Sequence, residues 1–190
     1  MLRGDDDGTS GYAWFLDPID GTTNFVYDQP AWACSIAVAH EGVMHAAAVF
    51  VPPMDEMFSA ALGGGATLNG RPISVSAETD LALALVGTGF GYRAETRQRQ
   101  ATFLVGLITQ VRDIRRLGSA AVDLCMVGCG RLDAYYELHL NSWDAAAGEL
   151  IAREAGAITT DFSGAAARPE EMLAAAPGVH AGLLEAIRSV

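Results

Sequence analysis

The chain contains no lysine: all 12 of its basic residues are arginine, against 23 acidic residues. The 190 residues therefore carry a formal net charge of -11, which repels nucleic-acid backbones and anionic membrane surfaces. We expect neither a nucleic acid nor a membrane as partner. An acidic protein that binds an anionic ligand needs a local reversal of charge, and a bound divalent cation commonly supplies it.

Long hydrophobic runs and cysteines are scarce as well. Apolar runs such as Leu81–Val86 are much shorter than the roughly 18 residues of a membrane-spanning helix. The first residues include three consecutive acids, 5–7, and lack the apolar region of a secretory signal. Three cysteines without scaffold spacing fit a reducing compartment, so we expect a cytoplasmic protein. We interpret Cys125 and Cys129 as core-facing thiols rather than a metal pair.

Residues 1–80 predict a subdomain that consists mainly of β-sheet. Two apolar runs, 32–39 and 43–51, are separated by a three-residue turn and predict an antiparallel hairpin. Gly-rich turns separate the other predicted strands. The predicted strands are Tyr12–Leu16, Trp32–Ala39, Val43–Val51 and Met57–Ala61. A change of composition near 76–80 marks the boundary to the second subdomain, 81–190.

Residues 81–190 predict an α/β subdomain in which strands and helices alternate. The predicted strands are Leu81–Thr88, Arg112–Leu117 and Ala134–Leu138, and the predicted helices are Glu95–Gln110, Ser119–Val127 and Ser142–Ala155. Ser142 is a candidate cap for the last helix, which places Asp144 in its first turn.

Two carboxylates, Asp17 and Asp20, stand three residues apart at the end of the first predicted strand. Residues i and i+3 of a strand point to opposite faces, so both acids can serve one site only if the chain turns after Asp17, as Pro18 favours. Two carboxylates with a backbone carbonyl between them suit Mg²⁺. The amides of the following 21–23 segment, Gly-Thr-Thr, are available to an anion. In isolation the motif equally fits a turn followed by a helix cap.

Four segments together resemble the inositol monophosphatase family in order and spacing. They read DPIDGTTNF at 17–25, RLGSAA at 116–121, GRLDAYYE at 130–137 and WDAAAG at 143–148. The resemblance implies a mixed α/β, layered αβαβα sugar-phosphatase fold, shortened at its amino-terminal end, and assembly as a homodimer.

The same resemblance implies a role for each matched residue. Asp17 would bridge two Mg²⁺ ions, the Ile19 carbonyl would complete one of them, and Asp20 with Asp144 would hold the other. Thr22 would orient the attacking water, which makes Asp17, Asp20 and Thr22 the catalytic residues. The residues that would bind the substrate are Gly21, Thr22, Ala120, Glu137 and Asp144.

One departure from the family pattern concerns a Gly-Glu-Glu segment upstream of DPIDGTT, whose first Glu ligates metal and activates the water. The only acidic residues before the first strand of this sequence are Asp5, Asp6 and Asp7. We interpret them as part of a Gly-rich loop. We therefore expect a shortened start with one metal ligand fewer. The alternative to an enzyme is a weak or inactive chain that binds metal and phosphate or pairs with a complete subunit.

The expected reaction is Mg²⁺-dependent hydrolysis of a small phosphate monoester, with myo-inositol monophosphate as the leading substrate. Fructose 1,6-bisphosphate, histidinol phosphate and other polyol phosphates are the alternatives. A haloacid-dehalogenase type of phosphatase is excluded, because it needs DxDGT spacing and a downstream lysine. Asp123 is interpreted as a capping or solvated residue without a role.

Overall fold

Within residues 10–190, the computed structural model contains two β-sheets and five α-helices. The loop expected around 5–7 lies outside the described residues. None of the helices in the described range has both the length and the apolar character needed to cross a membrane.

The first sheet is antiparallel throughout, and its six strands follow one another in chain order. The strands are β1 Tyr12–Asp20, β2 Ala33–His40, β3 Val43–Val51, β4 Glu56–Ala61, β5 Gly65–Leu68 and β6 Arg71–Pro72. The predicted hairpin is β2–β3, and its two turn residues, Glu41 and Gly42, both have positive φ. Such a turn matches the twist of the flanking strands.

The second sheet is mixed and has the strand order β10-β11-β9-β7-β8. Its strands are β7 Leu85–Thr88, β8 Asp113–Arg115, β9 Ala134–Leu138, β10 Ile158–Thr160 and β11 Glu171–Ala175. The predicted β-α alternation holds for β7, β8 and β9, of which β7 pairs in parallel with both of the others. The antiparallel strands β10 and β11 extend the β9 edge.

The helices complete a four-layered α/β arrangement. They are α1 Thr22–Val26, α2 Ala94–Leu107, α3 Ala120–Gly128, α4 Ser142–Glu154 and α5 Pro177–Arg188. α3 and α4 lie between the two sheets and form one core with them, and α2 and α5 cover the other face of the second sheet. The expected mixed α/β class is confirmed.

The small-residue composition of α3 reflects its position between two sheets. All nine of its residues are buried, including Cys125, which is a free thiol in the core as predicted. α3 and α4 approach closely at Gly148, where a Cβ would lie 2.7 Å from the Leu124 Cβ. The opposite face of the first sheet carries side chains such as Trp14, which is 54% exposed.

Sequence patterns identified most of these elements but none of those after α4. β3 and β9 have the predicted bounds, and α2, α3 and α4 agree to within a few residues. β10, β11 and α5 were not predicted, because the apolar run that becomes β11 has neither a strand nor a helix period of its own. Pairing with β9 turns this run into a buried strand.

Candidate active site

A β-bulge at the end of β1 brings two acids together. Asp17 pairs with Ser35 of β2 and Asp20 pairs with Ala33, so three steps along β1 face two steps along β2. The extra residue shifts the alternation of side chains, and Asp17 and Asp20 therefore reach the same site. The predicted turn after Asp17 is wrong: β1 continues to Asp20, and the bulge does what the turn was expected to do.

The third acid, Asp144, comes from the first turn of α4. Its carboxylate accepts hydrogen bonds from the backbone N–H of Asn141 at 2.8 Å and from the Asn141 side-chain amide at 2.9 Å. Asn141 is the cap residue, so the predicted cap at Ser142 is wrong by one position. These bonds fix the Asp144 carboxylate at the positive end of the helix, where a negative charge is stabilised.

The three carboxylates converge. Asp17, Asp20 and Asp144 each offer an oxygen, and these oxygens all lie within 4.8 Å of one another. Carboxylate oxygens at this spacing, on one strand and one helix, are donors of the kind that hard divalent cations prefer. The residues present fit a divalent cation, because the positive charge would offset the repulsion among three carboxylates.

Asp20 is the most buried of the three acids. Its Oδ2 accepts hydrogen bonds from the Ser119 hydroxyl at 2.5 Å and from the Ala121 backbone N–H at 2.8 Å. Burial raises the pKa of Asp20 to about 7; the two hydrogen bonds oppose this rise, and the charges of Asp144 and Asp17 add to it. Without a cation, the protein holds this carboxyl in an environment that penalises its charge.

Burial also raises the pKa of Asp17. A hydrogen bond from the Ile19 backbone N–H, at 3.0 Å, opposes the rise, and the nearby charge of Asp144 adds to it. Two of the three acids therefore bind protons more strongly than isolated carboxylic acids do. Such shifted groups cluster at functional sites.

The Gly-Thr pair after Asp20 forms a tight connection into α1. The Thr22 hydroxyl donates to the Ile19 carbonyl at 2.9 Å. Gly21 has φ of 82°, and a Cβ there would lie 2.8 Å from the Ala31 carbonyl oxygen, so only glycine fits without strain. The first backbone N–H groups of a helix have no carbonyl partner within that helix. In α1 these free N–H groups lie at the Gly-Thr turn.

An amide side chain anchors this turn to the second half of the chain. The Asn24 Nδ2 donates to the carbonyl of Ala31 at 2.5 Å and to the carbonyl of Leu117 at 2.7 Å. Leu117 belongs to the loop that leads into α3, whose cap Ser119 bonds Asp20. Two hydrogen bonds thus join the segment after β1 to the start of α3: one from the Asn24 side chain to Leu117, and one from the Ser119 side chain to Asp20.

The three acids line a cavity of about 840 Å³ that Gly21, Thr22, Ala120 and Glu137 also line. Glu137 lies on β9 and accepts a hydrogen bond from the Tyr135 hydroxyl. Burial raises the pKa of Glu137 to about 7, while the Tyr135 hydrogen bond and the nearby charge of Arg116 oppose this rise. The structure therefore brings every residue to which the resemblance gave a role in the site to one cavity, although these roles stay predictions.

Two residues of this region, Ser119 and Asp123, were not assigned a role from the sequence. Ser119 precedes a helix in the segment GSAA, and this capping signal could have identified it. Asp123 was expected to be capping or solvated and is neither: it is 1% exposed and lines the same cavity. Burial, followed by the charge of Glu137, raises the pKa of Asp123 far above its ordinary range. No local pattern distinguishes this aspartate from a solvated one.

The fold and the site together define a layered α/β protein with a three-carboxylate centre beside a Gly-Thr loop. The family model described as the inositol monophosphatase family matches residues 3–190. The chain belongs to this family.

Individual relatives agree with the family assignment. The chain is 49% identical over 182 residues to the inositol-1-monophosphatase of Mycobacterium bovis, a match that covers 92% of this chain and 62% of the relative. It therefore spans about three fifths of that relative's length. Among solved structures, Mycobacterium tuberculosis SuhB superposes with a TM-score of 0.87 at 46% identity, over 94% of this chain and 72% of that one. An inositol monophosphatase from Anabaena (Nostoc) sp. gives a TM-score of 0.90 at 37% identity, over 95% and 74%.

Proposed function

We propose that this chain hydrolyses a small phosphate monoester with the help of Mg²⁺. The observation that carries the proposal is the convergence of Asp17, Asp20 and Asp144, whose carboxylate oxygens lie within 4.8 Å of one another in a cavity of about 840 Å³. A phosphate ester is anionic, and in a chain with a net charge of -11 it requires a local positive charge.

Four residues would hold the cations: Asp17, Ile19 through its carbonyl, Asp20 and Asp144. Bound Mg²⁺ supplies Lewis-acid polarisation of the phosphoryl group, together with stabilisation of the charge on the leaving oxygen. The carboxylates of Asp20 and Asp144 are already oriented for cation binding. Hydrogen bonds from Ser119 and Ala121 fix the first, and a hydrogen bond from Asn141 fixes the second. Little rearrangement is needed on binding.

The remaining residues would bind and orient the reactants. The Thr22 hydroxyl donates a hydrogen bond to the Ile19 carbonyl. The lone pairs of the Thr22 Oγ1 are then free to accept a hydrogen bond from the attacking water, which would orient that water. The Gly21 and Thr22 amides would donate to phosphate oxygens. Glu137 would accept hydrogen bonds from hydroxyls of the substrate, and the small side chain of Ala120 leaves room for the substrate beside it.

myo-Inositol monophosphate is the leading substrate. The segment Thr23-Asn24-Phe25 favours it, and the name of the Mycobacterium bovis relative supports it. Fructose 1,6-bisphosphate, histidinol phosphate and other polyol phosphates are the alternatives. A homodimer in the cytoplasm also stays a prediction, and a measurement of molecular mass in solution tests the dimer.

The experiment is a phosphate-release assay on these esters with Mg²⁺ and with EDTA. We expect Asp17→Asn, Asp20→Asn and Asp144→Asn each to lower Mg²⁺-dependent turnover by at least about 100-fold. The control is Glu185→Gln, because Glu185 is exposed on α5 and away from the cavity. Phosphate release that EDTA or the three variants leave unchanged contradicts the proposal. A wild-type chain that binds Mg²⁺ and phosphate without turnover favours the non-catalytic alternative.

A further inference from the structure

One wall of the cavity is formed by the connection between β7 and α2, residues 89–93, which we call the rim segment. This segment packs directly on Glu137. A Cβ on Gly89 would overlap the Glu137 carboxylate, so the backbone at Gly89 lies against the group that would bind substrate hydroxyls. The rim segment is therefore on the hydroxyl-binding side of the cavity.

A buried glutamine fixes the rim segment. Gln100 lies on α2 and is only 3% exposed. Its Oε1 accepts a hydrogen bond from the Gly91 backbone N–H at 2.8 Å, and its Nε2 donates to the Leu138 carbonyl at 3.2 Å. Leu138 follows Glu137 on β9, so one side chain joins the rim segment to the strand that carries Glu137. Burying an amide is costly unless it is bonded in this way.

Two further contacts restrict the same backbone. The Arg97 guanidinium donates to the carbonyl of Tyr92 at 2.8 Å and to the carbonyl of Gly91 at 3.3 Å. Gly91 also lies against the first turn of α2, where a Cβ would be 2.9 Å from Thr96 Cγ2. The rim segment is thus held from several sides before any ligand binds.

Two side chains of the rim segment, those of Tyr92 and Arg93, in contrast have no partner in the described part of the chain. Tyr92 is 84% exposed, and Arg93 is exposed and forms no ion pair with residues 10–190. Both line the cavity. A fixed backbone that presents a free aromatic ring and a free guanidinium is an arrangement that can recognise a ligand.

We propose that the rim segment is the specificity wall of the site, that Tyr92 and Arg93 contact the hydroxyl-bearing part of the substrate, and that Gln100 is the residue that positions them. The Tyr92 ring packs on the apolar face of a polyol ring, and Arg93 donates to its oxygens. Gln100 acts through the wall and does not touch the substrate. The inference rests on the proposed function and adds to it two residues that would contact the substrate and one that would position them.

The test compares two esters that differ in the part the wall would contact. myo-Inositol 1-phosphate has a ring with hydroxyls, and ethyl phosphate has neither a ring nor hydroxyls. We expect Gln100→Leu and Tyr92→Ala to raise KM for the inositol ester about tenfold and to leave KM and kcat for ethyl phosphate within about twofold. The control is Gln98→Leu, because Gln98 is exposed on the same helix and its side chain has no hydrogen bond within the described residues.

A second readout needs no turnover. We expect Gln100→Leu, and not Gln98→Leu, to accelerate amide hydrogen exchange at Gly91. In the wild type, myo-inositol and inorganic phosphate together with Mg²⁺ are expected to slow exchange over 89–93. Equal loss of activity toward both esters, unchanged KM in Tyr92→Ala, or no exchange response overturns the inference. A wild type that releases phosphate from neither ester, nor from fructose 1,6-bisphosphate or histidinol phosphate, refutes the proposed function instead, and the exchange measurements still decide whether the wall binds the polyol.

Discussion

The hydroxyl of Ser119 makes two hydrogen bonds, one of which reaches Asp20 across the interface between the first sheet and α3. It donates to Asp20 Oδ2 at 2.5 Å and accepts from the Val122 backbone N–H at 3.2 Å. The residue that caps α3 therefore also orients a carboxylate 99 residues earlier in the chain. Because one oxygen does both, the start of the helix and the geometry of the site are coupled.

Ser119→Ala should affect stability and activity together. It removes the cap of α3 and one of the hydrogen bonds to a buried carboxylate, so we expect a loss of about 1–3 kcal/mol in the free energy of unfolding. We also expect weaker Mg²⁺-dependent activity. Urea unfolding and the phosphate-release assay measure the two effects.

Two other variants control for a general effect of losing a hydroxyl. Ser119→Thr keeps the hydroxyl and should retain most of both properties. Ser74→Ala removes an exposed hydroxyl that makes no hydrogen bond within residues 10–190 and should change neither. If Ser119→Ala keeps wild-type stability, the coupling through this hydroxyl is refuted.

The burial of Asp20 predicts how stability depends on pH when no divalent cation is bound. The folded-state pKa of about 7 lies above the ordinary 3.8, so between these values the folded chain holds a proton that the unfolded chain releases. The free energy of unfolding therefore falls as pH rises from about 4 to about 7, and this contribution is constant above that range. Glu137, whose pKa rises from 4.5 to about 7, adds a contribution of the same sign.

Asp20→Asn isolates the contribution of Asp20. The asparagine Oδ1 can still accept from Ser119 and Ala121, but it carries no charge. In EDTA at pH 8 we expect the variant to be more stable than the wild type while it lacks Mg²⁺-dependent activity. Thermal unfolding from pH 4 to pH 8 should show a shallower pH dependence for the variant. If the pH dependence of stability is the same in the variant and the wild type, burial does not disfavour the charged form of Asp20.

Sequence reasoning reached the three acids because their residue types and local positions carry information. Asp17 and Asp20 follow an apolar run. Asp144 follows a helix-capping signal, and the residue that caps the helix is one position before the predicted one. It did not reach Gln100 or Asp123, because their roles come from burial among elements far apart in the chain. For the same reason β11 was missed, since its strand character depends on pairing with β9.

Gly21→Ala tests the close packing of the loop between β1 and α1. Gly21 has positive φ, and a Cβ would lie 2.8 Å from the Ala31 carbonyl oxygen and 3.1 Å from Ser119 Cβ. Gly63 also has positive φ but has nothing within 4 Å of its Cβ position, which makes Gly63→Ala a matched control for the backbone conformation alone.

We expect Gly63→Ala to cost about 1 kcal/mol and Gly21→Ala to cost more, because the loop must also move away from two neighbours. Displacement of the loop should lower Mg²⁺-dependent activity in Gly21→Ala only. Chemical unfolding and the phosphate-release assay measure both. Equal costs for the two alanines would mean that Ala31 and Ser119 do not confine the loop.

Mg²⁺ should stabilise the folded chain, and Asp144→Asn should remove most of that effect. A ligand at about 100 times its dissociation constant adds about 2.7 kcal/mol to the free energy of unfolding. The asparagine Oδ1 can still accept the hydrogen bonds from Asn141, so α4 keeps its cap and the variant separates cation binding from folding. Because bound carboxylates must be deprotonated, and the pKa values of Asp17 and Asp20 are raised, the rise in Tm with Mg²⁺ should be larger at pH 8 than at pH 6. A rise in Asp144→Asn equal to that of the wild type at both pH values would place the cation elsewhere.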